Sequence, residues 1–332
     1  MLFRSLVDLE GNHLTSRAGR IYVDDEYISS DNQLYVIVQV NDQTRRAVAA
    51  HMGAEPPVDL NKAQEVFASA ESERKLICMY STHSDESYIP GDGKSSLTED
   101  AGIYDIDKAF KEELEKLGIE VHLDETSHLP HDAKAYSRSR RTAEELLKMS
   151  PDALIDMHRD GIPDESEYET TVDGEETSKI RLLVGRSNPN ADANREFAKQ
   201  IKEIADEKYD GLIKDIFIGK GNYNQELYPK AILLEFGTHT LDKDLVINST
   251  PMMADVMNTV LYGDSASAAP ADDDEEENKA GGSGMIWLIV IIILAGLTYA
   301  LISTGTLKNL PEKLKRGANE ITGGLFGKKK DK

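Results

Sequence analysis

Three short apolar runs in this 332-residue chain each lead to a residue able to bind or serve a metal. Leu76-Ile77-Cys78-Met79-Tyr80 leads to His83, Ala153-Leu154-Ile155-Asp156-Met157 to His158, and Ala231-Ile232-Leu233-Leu234 to Glu235. Runs of this length bounded by turn signals read as buried strands, and reactive groups in open α/β sheets collect where such strands end. The pattern predicts one site assembled from three separate strands. Two imidazoles with carboxylates nearby are the ingredients of a hydrolytic zinc centre, in which the metal acidifies a bound water and a carboxylate moves its proton. Glu235 is the most telling of the three. A carboxylate straight after Ile232-Leu233-Leu234 is buried at a cost that only a metal, a cation or a proton-transfer task repays. His83 also fits the blander role of a hydrogen-bonded structural histidine. Arg159, next to His158, either grips a substrate carboxylate or pairs with Asp160.

The elements that must position these residues follow from periodicity. Strands are expected at 75–81, 119–123, 153–158, 180–185, 213–218 and 230–236, and helices at 105–117, 137–149, 190–208 and 251–261. Their alternation predicts an α/β domain over 75–263, with a mainly parallel sheet and helices on both faces. Ahead of it, residues 18–53 alternate apolar and polar positions, and Ile21, Val23, Tyr27, Leu34, Val36, Val38 and Val40 fit a small β-rich unit of about three strands. Residues 54–74, with Pro56-Pro57 and a helix-like stretch at 62–70, read as a connector. Cys78 is the single cysteine, so an intrachain disulfide is excluded, and its place inside an apolar run suits packing.

The formal net charge of −22 makes duplex nucleic acid an improbable partner. Residues 264–284 are polar and acidic and read as a flexible linker. Residues 285–303 contain no charged side chain and have the length of a transmembrane helix. The tail 304–332 carries eight Lys or Arg against three acids, so positive-inside bias puts it in the cytoplasm and the large domain outside. The first residues contain no apolar stretch long enough for a signal peptide. Either the true start lies upstream or the chain is tail-anchored against its charge bias, and that bias favours the first.

Beyond single residues, five motifs stand in an order that resembles the stage II sporulation protein P family. They are Ser81-Thr82-His83-Ser84-Asp85-Glu86-Ser87-Tyr88, Tyr136-Ser137-Arg138-Ser139-Arg140-Arg141-Thr142, Ile155-Asp156-Met157-His158-Arg159-Asp160, Val184-Gly185-Arg186-Ser187-Asn188-Pro189-Asn190 and Leu233-Leu234-Glu235-Phe236-Gly237. The resemblance covers about 18–262. It implies an amidase-like fold and a zinc-dependent peptidoglycan hydrolase related to the N-acetylmuramoyl-L-alanine amidases, cutting between muramic acid and the stem peptide and able to cut stem cross-links. It also implies a lytic transglycosylase as partner and a role in sporulation. By motif, His83 and His158 would be zinc ligands and Glu235 the catalytic carboxylate. The related amidases place an acid further along the loop after the first histidine, which ranks Glu99 first as third ligand, with Asp100 and Glu86 as alternatives.

Two departures stand out: the family commonly has a histidine where Ser81 stands, and its membrane segment is usually N-terminal. Arg159, Arg186 and Asn188 are candidates to grip carboxylates or amides of the stem peptide. His239 reads as a substrate contact or an exposed side chain. His122, His128 and His131 fit a polar loop, with His128 as the one that could approach the site. A rival from another class is a non-catalytic, membrane-anchored wall-binding scaffold, against which the joint presence of His83, His158 and Glu235 speaks. A cytosolic tail-anchored hydrolase of another amide follows if Met1 is the true start.

Overall fold

The computed structural model describes residues 3–58 and 74–263. The helix-like part of the expected connector, the acidic linker, the span at 285–303 and the basic tail lie outside the described residues. Among the described residues no helix is long and apolar enough to cross a membrane.

The chain opens with five strands, β1 (Phe3–Val7), β2 (His13–Ala18), β3 (Glu26–Ile28), β4 (Gln33–Asn41) and β5 (Arg46–Ala54). An alternation of strands and helices then begins with β6 (Leu76–Tyr80), α1 (Ile89–Asp92), α2 (Ile103–Lys116), β7 (Glu120–Asp124), α3 (Ala135–Leu147) and β8 (Ala153–Asp160). A hairpin of β9 (Glu169–Val172) and β10 (Glu175–Ser178) precedes β11 (Ile180–Gly185), α4 (Ala191–Lys208), β12 (Ile213–Gly219), β13 (Ala231–Thr238), α5 (Lys243–Asn248) and α6 (Thr250–Tyr262). The hairpin turns on Asp173-Gly174, both at positive φ, the conformation that two-residue β turns require.

One sheet of eleven strands runs β2-β1-β5-β4-β3-β12-β11-β13-β8-β6-β7. Within 75–263 it is parallel from β7 through β6 and β8 to β13, reverses between β13 and β11, and is parallel again between β11 and β12. The expected lead-in at 18–53 is larger than its sequence pattern suggested. It starts at Phe3, and β3 joins the main sheet by pairing antiparallel with β12, Tyr27 opposite Phe217. A boundary at residue 18 would remove β1 and nearly all of β2. The expected apolar face of β4 is also corrected: Ile37 is its buried residue and Val38 is 48% exposed, because the register with β5 shifts between Ile37 and Gln39.

Alternation along the strands separates two faces. Ile77, Met79, Ile155, Met157, Ile232 and Leu234 point to a core that α2 closes with Ile106, Phe110 and Leu114, and α4 with Phe197 and Ile201. Those helical residues recur at three or four positions, which keeps them on one stripe. The opposite face is covered in two parts. Helix α3 packs Ala143 and Leu146 on Leu76, Cys78, Tyr80 and Leu154, whereas Leu6, Ile21, Tyr27, Ile37 and Ala47 of the first strands pack on Leu183, Phe217 and Leu233. The burial that makes Cys78 a packing residue also pushes its thiol up to about 11.

A charged seam fastens the first strands to the rest. Glu167 Oε2 accepts from the Ser16 amide at 2.8 Å and from the Lys214 ammonium at 2.8 Å, and Lys214 also donates to Thr15 Oγ1 at 2.6 Å. Burial works to raise the Glu167 carboxyl, but Lys214 and Ser16 outweigh it and hold it at about 2, against an ordinary 4.5. A carboxyl depressed on folding contributes stability that is fully present above its unfolded pKa and is lost as pH falls through the folded one. We therefore expect the urea midpoint to drop between pH 4.5 and pH 2, and Glu167→Gln to flatten that acid limb while lowering the midpoint at neutral pH. An acid limb unchanged by the substitution would remove Glu167 from the join.

Candidate metal centre and its cleft

The loop after β6 is set by β8. Asp156 accepts from the Thr82 amide at 2.8 Å and the Thr82 hydroxyl at 2.7 Å, which fixes the approach of His83. The loop then returns, and Glu86 lies between the two imidazoles, its Oε1 3.3 Å from His83 Nδ1 and its Oε2 3.4 Å from His158 Nδ1. Each of the three residues offers one donor atom, and these atoms all lie within 4.8 Å of one another. Glu86 is held in that position by the Arg159 amide, which donates to Oε2 at 2.9 Å. The Arg159 guanidinium donates to the carbonyls of Ser87, Asp160 and Ser95, so it ties both limbs of the loop to the end of β8.

Charge in this cluster is strongly coupled to burial. Burial works to lower His158, but the carboxylates of Asp156 and Glu86 raise it well above the usual imidazole range. Burial likewise works to raise Glu86, but His158 and Arg159 hold it well below the usual carboxylate range. His83 is lowered, chiefly by burial. His158 Nε2 lies 3.0 Å from Asp156 Oδ1 yet off the line of a hydrogen bond, which leaves a buried ring nitrogen without a hydrogen-bond partner. Two imidazoles and a carboxylate with their donor atoms this close make a donor set that fits a three-ligand catalytic zinc site, and Asp156 stands at the far ring nitrogen of His158.

Glu235 stands beside this cluster because β13 pairs with β8 so that Glu235 is opposite His158. On its other side β11 places Arg181 opposite Glu235, and β12 places Asp215 opposite Arg181. Glu235 is buried; Tyr168 Oη lies 3.4 Å and Arg181 Nη1 3.6 Å from its Oε2. Burial, and then the neighbouring Asp160, push its carboxyl up to about 7. A carboxyl at that value exchanges a proton readily at neutral pH. The strand kinks just beyond it: Gly237 has φ +64°, and a Cβ there would meet Val246 Cγ2 at 2.9 Å. The ladder with β8 shifts between Glu235 and Thr238, and Thr238 Oγ1 donates to the carbonyls of Asp160 and Ile162.

These residues lie in a cleft of about 530 Å³. Leu183, Leu233 and Glu235 line it from the sheet, Ala133 and Tyr136 from the start of α3, and Arg17, Ala18, Gly19, Arg20 and Tyr22 from the first strands. It occupies the seam between the two coverings of the second sheet face.

The fold brings some of the expected site residues to the cleft and keeps others away from it. Glu99 and Asp100 are exposed and outside the donor group, which takes Glu86 as its carboxylate because the loop turns back at once: the Glu86 amide bonds to the His83 carbonyl at 3.1 Å. Arg159 lines the cleft, but its guanidinium is used by backbone carbonyls and makes no ion pair with Asp160. Arg186 pairs with Asp25 at 3.0 Å, and Asn188 bonds to Gly185 and Asn190 within its own turn; neither lines the cleft. His128 is a buried structural residue between the Ser81 carbonyl and the Thr142 hydroxyl, at 2.8 and 2.9 Å. It is His131 that reaches the site, stacked on His83 at 3.9 Å between ring centres and bonded to Asp85 at 2.9 Å. His239 is half-buried, and its ring Nδ1 lies 3.4 Å from the hydroxyl of Thr238. Tyr136 opens one of the five motifs but the sequence gives it no role, and Arg17 carries no signal beyond residue type, because only the fold brings α3 and β2 to the same cleft.

The sequence profile described as Stage II sporulation protein P (SpoIIP) matches residues 16–258. The Stage II sporulation protein P of Bacillus subtilis (strain 168) is 26% identical over 218 residues, which is 60% of this chain and 54% of that protein. The chain thus spans about half the length of the curated relative it matches. Among solved structures, an N-acetylmuramoyl-L-alanine amidase from Clostridium difficile 630 is 15% identical, with a TM-score of 0.38 over 60% of this chain and 100% of that one. The CwlD amidase from Clostridioides difficile, solved in complex with the GerS lipoprotein, is 13% identical, with a TM-score of 0.40 over 57% of this chain and 100% of that one. Both are remote likenesses. With the profile spanning residues 16–258, well over half of its length, the chain belongs to the stage II sporulation protein P family.

Proposed function

We propose that this chain is a metal-dependent peptidoglycan hydrolase that cleaves the amide between N-acetylmuramic acid and the stem peptide. The observation that carries the reading is the meeting of His83, Glu86 and His158 donor atoms within 4.8 Å, beside a buried Glu235 that the β8–β13 register sets opposite His158. The family supplies the substrate class, and the residues supply the chemistry.

In this reading His83, Glu86 and His158 hold the metal, with Glu86 in the place first given to Glu99. A zinc ion bound there would polarise the scissile carbonyl and acidify a bound water. Glu235 takes the proton of the attacking water and delivers it to the departing amine. Its raised pKa suits both halves of that transfer, and Tyr168 and Arg181 fix the carboxyl in place. Arg159 acts on the cluster through Glu86, holding the loop rather than the substrate. Tyr136, whose ring stands 5.5 Å from that of His83 and 6.3 Å from that of His158, walls the centre on the α3 side. The proposal includes tethering by the expected span at 285–303, an extracytoplasmic catalytic domain and a lytic transglycosylase partner in sporulation. The span rests on sequence hydropathy, and the partner on the family resemblance.

The test is digestion of purified peptidoglycan by the full chain, with zinc and with chelator, reading products by mass spectrometry. Metal-dependent release of stem peptides is expected, and Glu235→Gln should lower kcat by about 10²–10⁴-fold while metal content stays normal. Intact peptidoglycan in the presence of a fully metal-loaded chain, with and without a transglycosylase, would instead favour the wall-binding scaffold.

Metal analysis separates the ligand candidates. Glu86→Gln should weaken zinc affinity by more than the roughly 10–100-fold seen when only an outer partner of a metal ligand is removed. Glu99→Gln and Asp100→Asn should leave both zinc content and activity unchanged. A loss of zinc with Glu99→Gln and none with Glu86→Gln would reverse the assignment.

A further inference from the structure

One wall of the cleft is not used by this chemistry. Arg17 from β2, Arg20 and Tyr22 from the loop between β2 and β3, and Lys220 and Tyr223 from the loop after β12 line the same 530 Å³ space as His83, His158 and Glu235. Arg17 is only 7% exposed, its guanidinium 4.7 Å above the Phe217 ring. It donates to the Arg20 carbonyl at 2.9 Å and to Tyr223 Oη at 3.4 Å, while its Nε has no hydrogen-bond partner. Lys220 reaches across, its ammonium 5.0 Å from the centre of the Tyr22 ring. Among the described residues no carboxylate lies within ion-pair distance of Arg17, Arg20 or Lys220.

That is an unusual economy of charge. Acids outnumber bases 60 to 38 along this chain, so a cation elsewhere finds a carboxylate easily. Arg17 feels Glu235 and Asp160 across the cleft floor but pairs with neither, and a buried guanidinium that shares a cleft with two further cations outside ion-pair reach of any carboxylate offers a place for an anion that arrives with the substrate. In a muramoyl peptide the acyl side of the scissile amide is an uncharged sugar ether, whereas the amine side is a peptide bearing carboxylates. Guanidinium groups suit a carboxylate because their donors form a planar fork.

We propose that Arg17, Arg20 and Lys220 form an anion subsite that binds a stem-peptide carboxylate, so that the N-terminal strands select the substrate for a centre built by the other strands. The inference rests on the amidase reading for the identity of the anion.

The test uses two soluble muramoyl peptides that are identical except that the stem carboxylates are free in one and carboxamides in the other. The metal-loaded full chain should cleave the first with kcat/KM about 10–100-fold higher, the range expected for hydrogen bonds to a charged group. The double variant Arg20→Gln with Lys220→Gln, both at exposed positions, should lose that preference through KM, keep its kcat and leave the carboxamide substrate unaffected. Arg17→Lys should retain part of the preference that Arg17→Gln abolishes. Equal kcat/KM for the two substrates, or an equal loss on both in the double variant, would overturn the subsite while leaving the amidase standing. If neither substrate is cut, the amidase reading fails, and calorimetry of the free stem peptide against its carboxamide decides the subsite. Charge-dependent binding that the double variant loses would keep it, and equal or absent binding would end it.

Discussion

The guanidinium of Arg181 is the interaction on which both the architecture and the site depend. It is fully buried, and all three of its nitrogens donate: Nε to Asp215 Oδ1, Nη1 to Asp160 Oδ2, and Nη2 to Asp215 Oδ2, Thr15 Oγ1 and the Ser16 carbonyl. One side chain on β11 thereby reaches β12, the end of β8 and the second strand of the chain. Ionised groups survive burial only when paired and hydrogen-bonded, and here the partners come from three other strands at once. Arg181 is therefore a cross-brace that no local sequence feature could replace.

The same accounting explains Glu235. Asp215, Arg181, Glu235 and His158 form one transverse row over four neighbouring strands. Arg181 commits its forks to Asp215 and Asp160, and Glu235 is left at 3.6 Å with a Tyr168 hydroxyl. A carboxyl with a full share of the guanidinium would be held down as an anion. One with the remainder, buried beside a second carboxylate, is raised to about 7. The aspartates thus take the charge that would otherwise fix Glu235 in one protonation state.

Much of this was legible and some was not, for identifiable reasons. Every strand read from an apolar run over 75–263 exists, since a buried strand must be apolar on both faces and is bounded by turn residues. The three strand ends do bring His83, His158 and Glu235 to one cleft. What alternation cannot give is lateral order. That β13 lies between β11 and β8, antiparallel to one and parallel to the other, sets Glu235 opposite both His158 and Arg181, and nothing in the runs themselves encodes it. Glu99 lies outside the donor group for a related reason. Loop length suggests reach, but the chain turns at Glu86, and only Arg159, which looked like a substrate contact, shows why it turns there. β1 and β2 were missed because Arg4, Thr15, Ser16 and Arg17 are polar and yet buried, a pattern that hydropathy cannot detect.

That seam makes the first strands part of the architecture of the cleft rather than a detachable module. The sheet face above β11, β12 and β13 is apolar at Leu183, Phe217 and Leu233 and charged at Arg181, Asp215 and Glu235, so it needs a cover that is itself apolar in one part and polar in another. A helix stripe such as that of α3 satisfies the first need only. Strands satisfy both, because alternate residues of one strand share a face while the exposed backbone adds hydrogen bonds. Ser16 gives its amide to Glu167 and its carbonyl to Arg181, and Ala18 gives its amide to Asp160 at 3.0 Å. Covering the face with strands also leaves an edge where β2 ends, and at that edge Arg17 and Arg20 stand over the opening. The physical need to cover a half-charged sheet face thus delivers the basic wall of a cleft whose opposite wall carries the cluster of His83, Glu86 and His158.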